Sequence, residues 1–154
     1  MYDLLIFSHS LFRWLVLISL LYAIYRAYKG LASQSVFSKT DNAMRHWTAT
    51  IAHIQLVIGM IIYTQSPLVR YFLQNFSIAV RQADAVFFGL IHITLMLAAI
   101  VVITIGSSLA KRRPTDREKF RTMLVWFSIA LLIIFMAIPW PFSPLAIRPY
   151  LRPL

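Results

Sequence analysis

The sequence predicts an all-α integral membrane protein, an up-down-up-down four-helix bundle with both termini outside. Three observations predict it. Hydrophobic residues fill 60% of the 154 positions and charged residues only 13%, whereas a water-soluble domain carries about a quarter charged residues. The apolar residues gather into four runs, each near the roughly 20 residues that a bilayer crossing requires. The net charge of +10 is concentrated in two of the connections between those runs. Disorder is excluded by the abundance of Leu, Ile, Val and Phe. A nucleic-acid-binding domain would account for the charge but not for the mean hydropathy of +0.73, so no nucleic-acid partner is expected. Cysteine is absent, which removes disulfides, thiolate metal sites and cysteine nucleophiles.

The whole chain reads as a single membrane domain, and each element has a physical marker. The first span covers about 4–25. It is not a cleavable signal peptide, because it lacks a basic leading region, its apolar stretch is long, and basic residues follow it. Thr40-Asp41-Asn42 offers N-caps before the second span, about 45–64, and Ser66-Pro67 closes that span. The segment 68–82, with Tyr71, Phe72 and Phe76, reads as a short helix along the outer interface. Asp84 can cap the third span, about 84–105, which Gly106-Ser107-Ser108 ends. Thr115-Asp116-Arg117-Glu118 has capping-box spacing and starts a helix about a turn before the fourth span, about 122–138. Pro139, Pro141 and Pro144 stop that helix. The tail 139–154 holds five prolines and reads as extended, with Trp140 and Tyr150 suited to the headgroup level. No run alternates with period two, so the spans are helices and not barrel strands.

The basic residues orient the bundle. The first connection and its edges hold Arg26, Lys29, Lys39 and Arg45. The third holds Lys111, Arg112, Arg113, Arg117, Lys119 and Arg121. The opposite side has Arg70, Arg81, Arg148 and Arg152. Ten against four places connections one and three in the cytoplasm by the positive-inside rule. The lipid bilayer is the expected partner, and the basic run reads as topology and contact with anionic lipid.

Ionisable residues inside spans are functional candidates by default. The remaining basic residue, Arg13, lies in span one with His9; His46 and His53 are in span two and His92 in span three. There is no intramembrane carboxylate pair, glycine-rich phosphate loop or Ser-His-Asp set. Histidines in a membrane bundle point to haem b, whose low-spin iron takes two axial imidazoles at matched depth. At about 1.5 Å per residue, His9 lies roughly 9 Å in from Asp3, and His92 roughly 12 Å in from Asp84. His53 sits near mid-membrane and His46 at the cytoplasmic edge. Adjacent helices pack about 8–10 Å apart; spans one and three are diagonal, which gives about 13 Å and suits a porphyrin between two rings. His9 and His92 satisfy depth and diagonal together, with His53 and His92 the second pair by depth alone. His46 and His53 are too close in sequence for stacked ligands of two haems, so one haem is expected. His92 shares a stripe with Ala85, Gly89, Met96 and Ala99, where Gly89 and the alanines leave room for a macrocycle. Arg13, one turn below His9, needs a partner: a propionate, a quinone oxygen or Asp84. Gln55 lies opposite His53 on the helical wheel, so the two cannot line one cavity. Each of these side chains also has a plain structural role open to it, as interhelical hydrogen-bonding or snorkelling groups.

The stretches His9-Ser-Leu-Phe-Arg13-Trp14, Arg45 to His53, Gly89-Leu-Ile-His92 and Pro-Trp-Pro-Phe-Ser-Pro at 139–144 resemble a group of small bacterial four-span proteins described as cytochrome b-like. The resemblance covers nearly the whole chain. It implies a haem b protein of the bacterial inner membrane, engaged in electron transfer as a component of a membrane oxidoreductase or respiratory chain. The chain is also distantly similar to small membrane haem proteins that oxidise protoporphyrinogen, which carry a His early in span one. It departs from four-helix di-haem cytochromes b, since the last span has no histidine. On this reading His9 and His92 ligate iron, Arg13 and Gly89 line the cofactor, and His53 handles protons or meets a quinone. The competing expectation is an accessory or assembly subunit of a larger membrane complex, its histidines serving as interhelical glue. A transporter is disfavoured, because the cytoplasmic half of span three and most of span four are apolar.

Overall fold

In the computed structural model, residues 1–143, 146, 148 and 149 are described. Those residues form helices and no strand. The elements are α1 (Tyr2–Ala32), α2 (Lys39–Gln65), α3 (Pro67–Gln74), α4 (Phe76–Ala79), α5 (Ala83–Val86), a π-helical turn (Phe87–Ile91), α6 (His92–Arg112) and α7 (Asp116–Ala137). Four helical stretches are long and apolar enough to cross a membrane: Tyr2–Ala32, Lys39–Gln65, Ala83–Arg112 and Asp116–Ala137. The described residues of the tail carry no helix. Pro144, Tyr150 and Arg152 lie outside the described residues.

The helix ends follow local chemistry. α2 begins six residues before its apolar run, at a capping box in which the Ser38 hydroxyl accepts from the Asp41 amide and the Asp41 carboxylate accepts from the Ser38 amide. Thr40 and Asn42, also read as caps, are inside the helix. The Thr115/Glu118 box starts α7 as its spacing predicts. Gly106-Ser107-Ser108 does not end the third long helix, which continues to Arg112. Gly106 serves a close approach instead: a Cβ there would lie 2.3 Å from Trp126 Cβ on α7.

Contacts between the long helices define a four-sided arrangement with antiparallel neighbours. Thr48 Oγ1 donates to Ser19 O (3.2 Å), and Gln55 Nε2 to His9 O (2.9 Å), between α2 and α1. Arg45 reaches from α2 to Ser107 on α6, donating to its carbonyl (3.1 Å) and hydroxyl. Gly106 meets Trp126 between α6 and α7, and Gly30 meets the Phe120 ring between α1 and α7. Helices α1 and α6 are thus diagonal. At the end holding the α1–α2 connection, Arg26 pairs with Asp41 at 2.7 Å.

Packing at these seams is built on small residues. Ala23, Ala27, Ala52, Ala99, Ala110 and Ala130 are fully buried beside Leu20, Ile103, Phe120, Met123 and Phe127. Lipid tails are as apolar as the core, so helices associate through close packing and interhelical hydrogen bonds, not through loss of water. The outer faces are apolar on all four sides: Ile18 is 62%, Val57 58%, Val101 54% and Leu132 65% exposed. Apolar exposure all around the bundle is what lipid contact requires.

Gly106→Ala is therefore expected to wedge α6 from α7, since the obstacle is Trp126 Cβ, which cannot swing away. Overpacking of this kind costs about 1–3 kcal/mol. A thermal unfolding midpoint in detergent equal to wild type would contradict the close-approach account.

Candidate functional site

A cavity of about 450 Å³ lies within the bundle toward the end that carries the N-terminus, in the size range of cofactor sites. Its wall is mostly aliphatic, including Ile6, Val16, Leu56, Met60, Met96 and Ile134. The polar groups on it are few: Tyr2, His9, Ser10 and Arg13 from α1, Gln55 and Tyr63 from α2, Ser66 after it, His92 from α6, and Arg148 from the tail.

The two histidine rings meet across the diagonal, with centroids 6.4 Å apart and planes crossed at 70°. The rest of the His92 environment fixes its ring. Nδ1 lies 2.8 Å from the Ala137 carbonyl oxygen at the end of α7. A carbonyl only accepts, so Nδ1 carries the proton, and in the neutral ring Nε2 holds a lone pair. Phe87 and Phe88 flank the same ring at 5.7 and 6.2 Å. His9 leans on α2 at Gly59, where a Cβ would stand 3.1 Å from His9 Cε1. Its Nδ1 is buried and has no hydrogen-bond partner among the described residues.

Two guanidinium groups share the cavity. Arg13 lies with its guanidinium carbon 5.7 Å from the Trp14 ring centroid, and Trp14 meets Trp140 edge-on at 6.1 Å. Arg148 stands over the Phe88 ring at 4.8 Å and pairs with Asp84 at 3.1 Å. Asp84, which the sequence offers as one partner of Arg13, thus has its ion pair with the tail.

The remaining sequence-selected residues lie elsewhere. His53 is exposed and does not line the cavity; its Nδ1 bonds Ala49 O at 2.7 Å and its Nε2 faces Thr104 Oγ1 at 3.2 Å. His46 is exposed, edge-on to Trp47 at 5.9 Å. Gly89 corrects the expected stripe. A Cβ there would strike the Phe72 ring at 2.4 Å, so the space it leaves is filled by α3. The reason is the π-helical turn at Phe87–Ile91. A π turn adds a residue to the helical repeat and breaks the phase of Ala85, Gly89, His92, Met96 and Ala99. Ala85 packs with Phe72 and Gly89 abuts it, while His92, Met96 and Ala99 line the cavity.

Gln55, Gly59 and Tyr63 were not selected from the sequence, although their i, i+4, i+8 spacing puts them on one face. Tyr63 also supports the irregular turn, its hydroxyl donating to Gly89 O at 2.9 Å. Among the described residues no group of three or more His, Asp or Glu side chains could hold a metal ion. The chain matches no protein-family model, no curated protein and no solved structure.

Tyr63→Phe is expected to loosen the turn that presents His92. Losing one such bond costs about 1 kcal/mol. Hydrogen exchange should accelerate at amides 87–92 and stay unchanged in α7; protection equal to wild type would show that the bond does not hold the turn.

Proposed function

We propose that this chain is a haem b-binding electron-transfer protein of the bacterial cytoplasmic membrane, with His9 and His92 as the axial pair of one low-spin haem and quinone as the redox partner. The observation that carries the reading is the spacing of the two rings. Metal–imidazole bonds of about 2.0 Å place two rings that share one metal about 6 Å apart, centroid to centroid, against the 6.4 Å found here. Among the described residues no group of three or more His, Asp or Glu side chains could hold a metal ion, so an iron held by His9 and His92 would draw its other ligands from a porphyrin. The 450 Å³ cavity, its aliphatic wall and its two arginines suit a flat apolar body with acidic edges.

Haem bound here would supply reversible one-electron exchange. The chain's own residues do the rest. His92 is held by Ala137 O with its Nε2 lone pair available, and such an outer bond raises the basicity of a ligating imidazole. Arg13 and Arg148 offer positive charge to carboxylates or to a quinone oxygen. Met60, Met96, Ile134 and their neighbours give the cavity a largely apolar wall.

The positive-inside distribution supports connections one and three in the cytoplasm and both termini outside. The second reading, an accessory subunit of a membrane complex, draws on one observation: His53 and Thr104 form an exposed polar pair on the α2–α6 face, where a neighbouring helix would shield them better than lipid.

The purified protein is expected to show a Soret band that moves on dithionite reduction. His9→Ala and His92→Ala should each abolish the low-spin spectrum, while His46→Ala and His53→Ala should keep it. A colourless preparation from haem-replete cells would overturn the reading, and co-purification of that colourless protein with a larger complex would favour the second. The absence of cysteine allows a clean test of orientation. In intact cells an impermeant maleimide should label Ser77→Cys and spare Ser35→Cys; the reverse pattern would invert the topology.

A further inference from the structure

The two axial candidates differ in their outer support. His92 has a backbone carbonyl on Nδ1; among the described residues the buried Nδ1 of His9 has none. A second orphan lies in the same α1–α2 seam. Gln55 Nε2 donates to the His9 carbonyl oxygen at 2.9 Å. A carbonyl only accepts, so that bond settles which end of the amide is nitrogen. The other end, Oε1, is buried and likewise has no partner among the described residues. Gly59 is one helical turn beyond Gln55 on the same face, and a Cβ there would stand 3.6 Å from His9 Nδ1. An orphan acceptor and a nitrogen able to donate are therefore set on facing helices, one of them on a side chain already bonded to the other's own backbone.

We propose that Gln55 is the positioning residue of His9: its Oε1 accepts the Nδ1–H, directly or through one ordered water, and so directs the His9 Nε2 toward His92. This rests on the haem reading for its purpose, though not for its geometry. Gly59 completes the device, since a larger residue would press on the ring edge that must face Gln55. Interhelical glue alone would need only the bond from Gln55 Nε2 to the His9 carbonyl and would be indifferent to where the His9 proton sits. With Gln55 in this role both rings present the same tautomer, one fixed by a main-chain carbonyl and the other by a side-chain one.

The test is ¹⁵N-histidine NMR of the purified, dithionite-reduced protein, joined to a redox titration. In wild type the His9 Nδ1–H should be hydrogen-bonded and slow to exchange. Gln55→Leu should speed that exchange about fivefold, the equivalent of one hydrogen bond, and raise the midpoint potential, because a ligand relieved of its acceptor donates less charge. Gln55→Glu, in its protonated form, keeps an acceptor oxygen for Nδ1 and an O–H for the His9 carbonyl, and should retain the protected proton. Unchanged exchange and potential in Gln55→Leu would overturn the proposal while leaving haem ligation standing. If Gln55→Leu does not fold, a wild-type His9 proton found on Nε2, or exchanging freely, would overturn it as well. Should wild type prove haem-free, the same spectra still read the tautomer. Nδ1–H in wild type and Gln55→Glu would then uphold the positioning role, and the haem reading alone would fall.

Discussion

A polar atom inside an apolar slab has no water to turn to, and that constraint governs how this chain is put together. Most of the polar groups among the described residues of the long helices are answered from within. Arg45 is tied to Asn42 and Ser107, Asp41 to Arg26 and Ser38, Thr48 to Ser19, Tyr63 to Gly89 and His92 to Ala137. Those that cross from one helix to another, with the buried alanines, specify which helices touch. The atoms left over, His9 Nδ1 and Gln55 Oε1, gather at the cavity.

The site is a product of irregularity imposed on regular helices. An unbroken α-helix through 83–112 would have put Gly89 and His92 in one stripe. The π-helical turn separates them, giving Gly89 to Phe72 and His92 to the cavity. Gly89 then has a double use: its missing side chain admits Phe72, and its carbonyl receives Tyr63. Helices α3 and α5 thereby brace the turn from outside, and Tyr63 from inside. Such turns recur at functional sites because they aim a side chain that a uniform helix could not.

Much of this was legible in the sequence. Four apolar runs of spanning length gave the four long helices, and Thr115 with Glu118 gave the start of α7. Helical rise and diagonal packing brought His9 and His92 to one depth, and the structure sets their rings side by side. What escaped has physical reasons. Helices overrun apolar runs where caps lie outside the membrane, so α1 reaches Ala32 and α2 starts at Lys39. Gly106 reads as a helix end from composition, but it is a packing contact that only a neighbouring helix can reveal. The π turn leaves no compositional mark, so the Gly89 stripe failed. Arg148 sits in a Pro-rich tail, and nothing local announces that it folds back on Asp84 and Phe88. Gln55, Gly59 and Tyr63 were visible as one face, yet their meaning depended on knowing that His9 lay opposite.

The central claim is that His9 and His92 hold one iron between crossed rings. Electron paramagnetic resonance of the oxidised, purified protein tests it most directly. Crossed imidazole planes, as the 70° angle implies, leave the iron's two π-symmetry d orbitals nearly degenerate. The account therefore expects a single low-spin ferric signal of strong anisotropy. A high-spin ferric signal as the resting state, or no haem iron in the preparation, would contradict it.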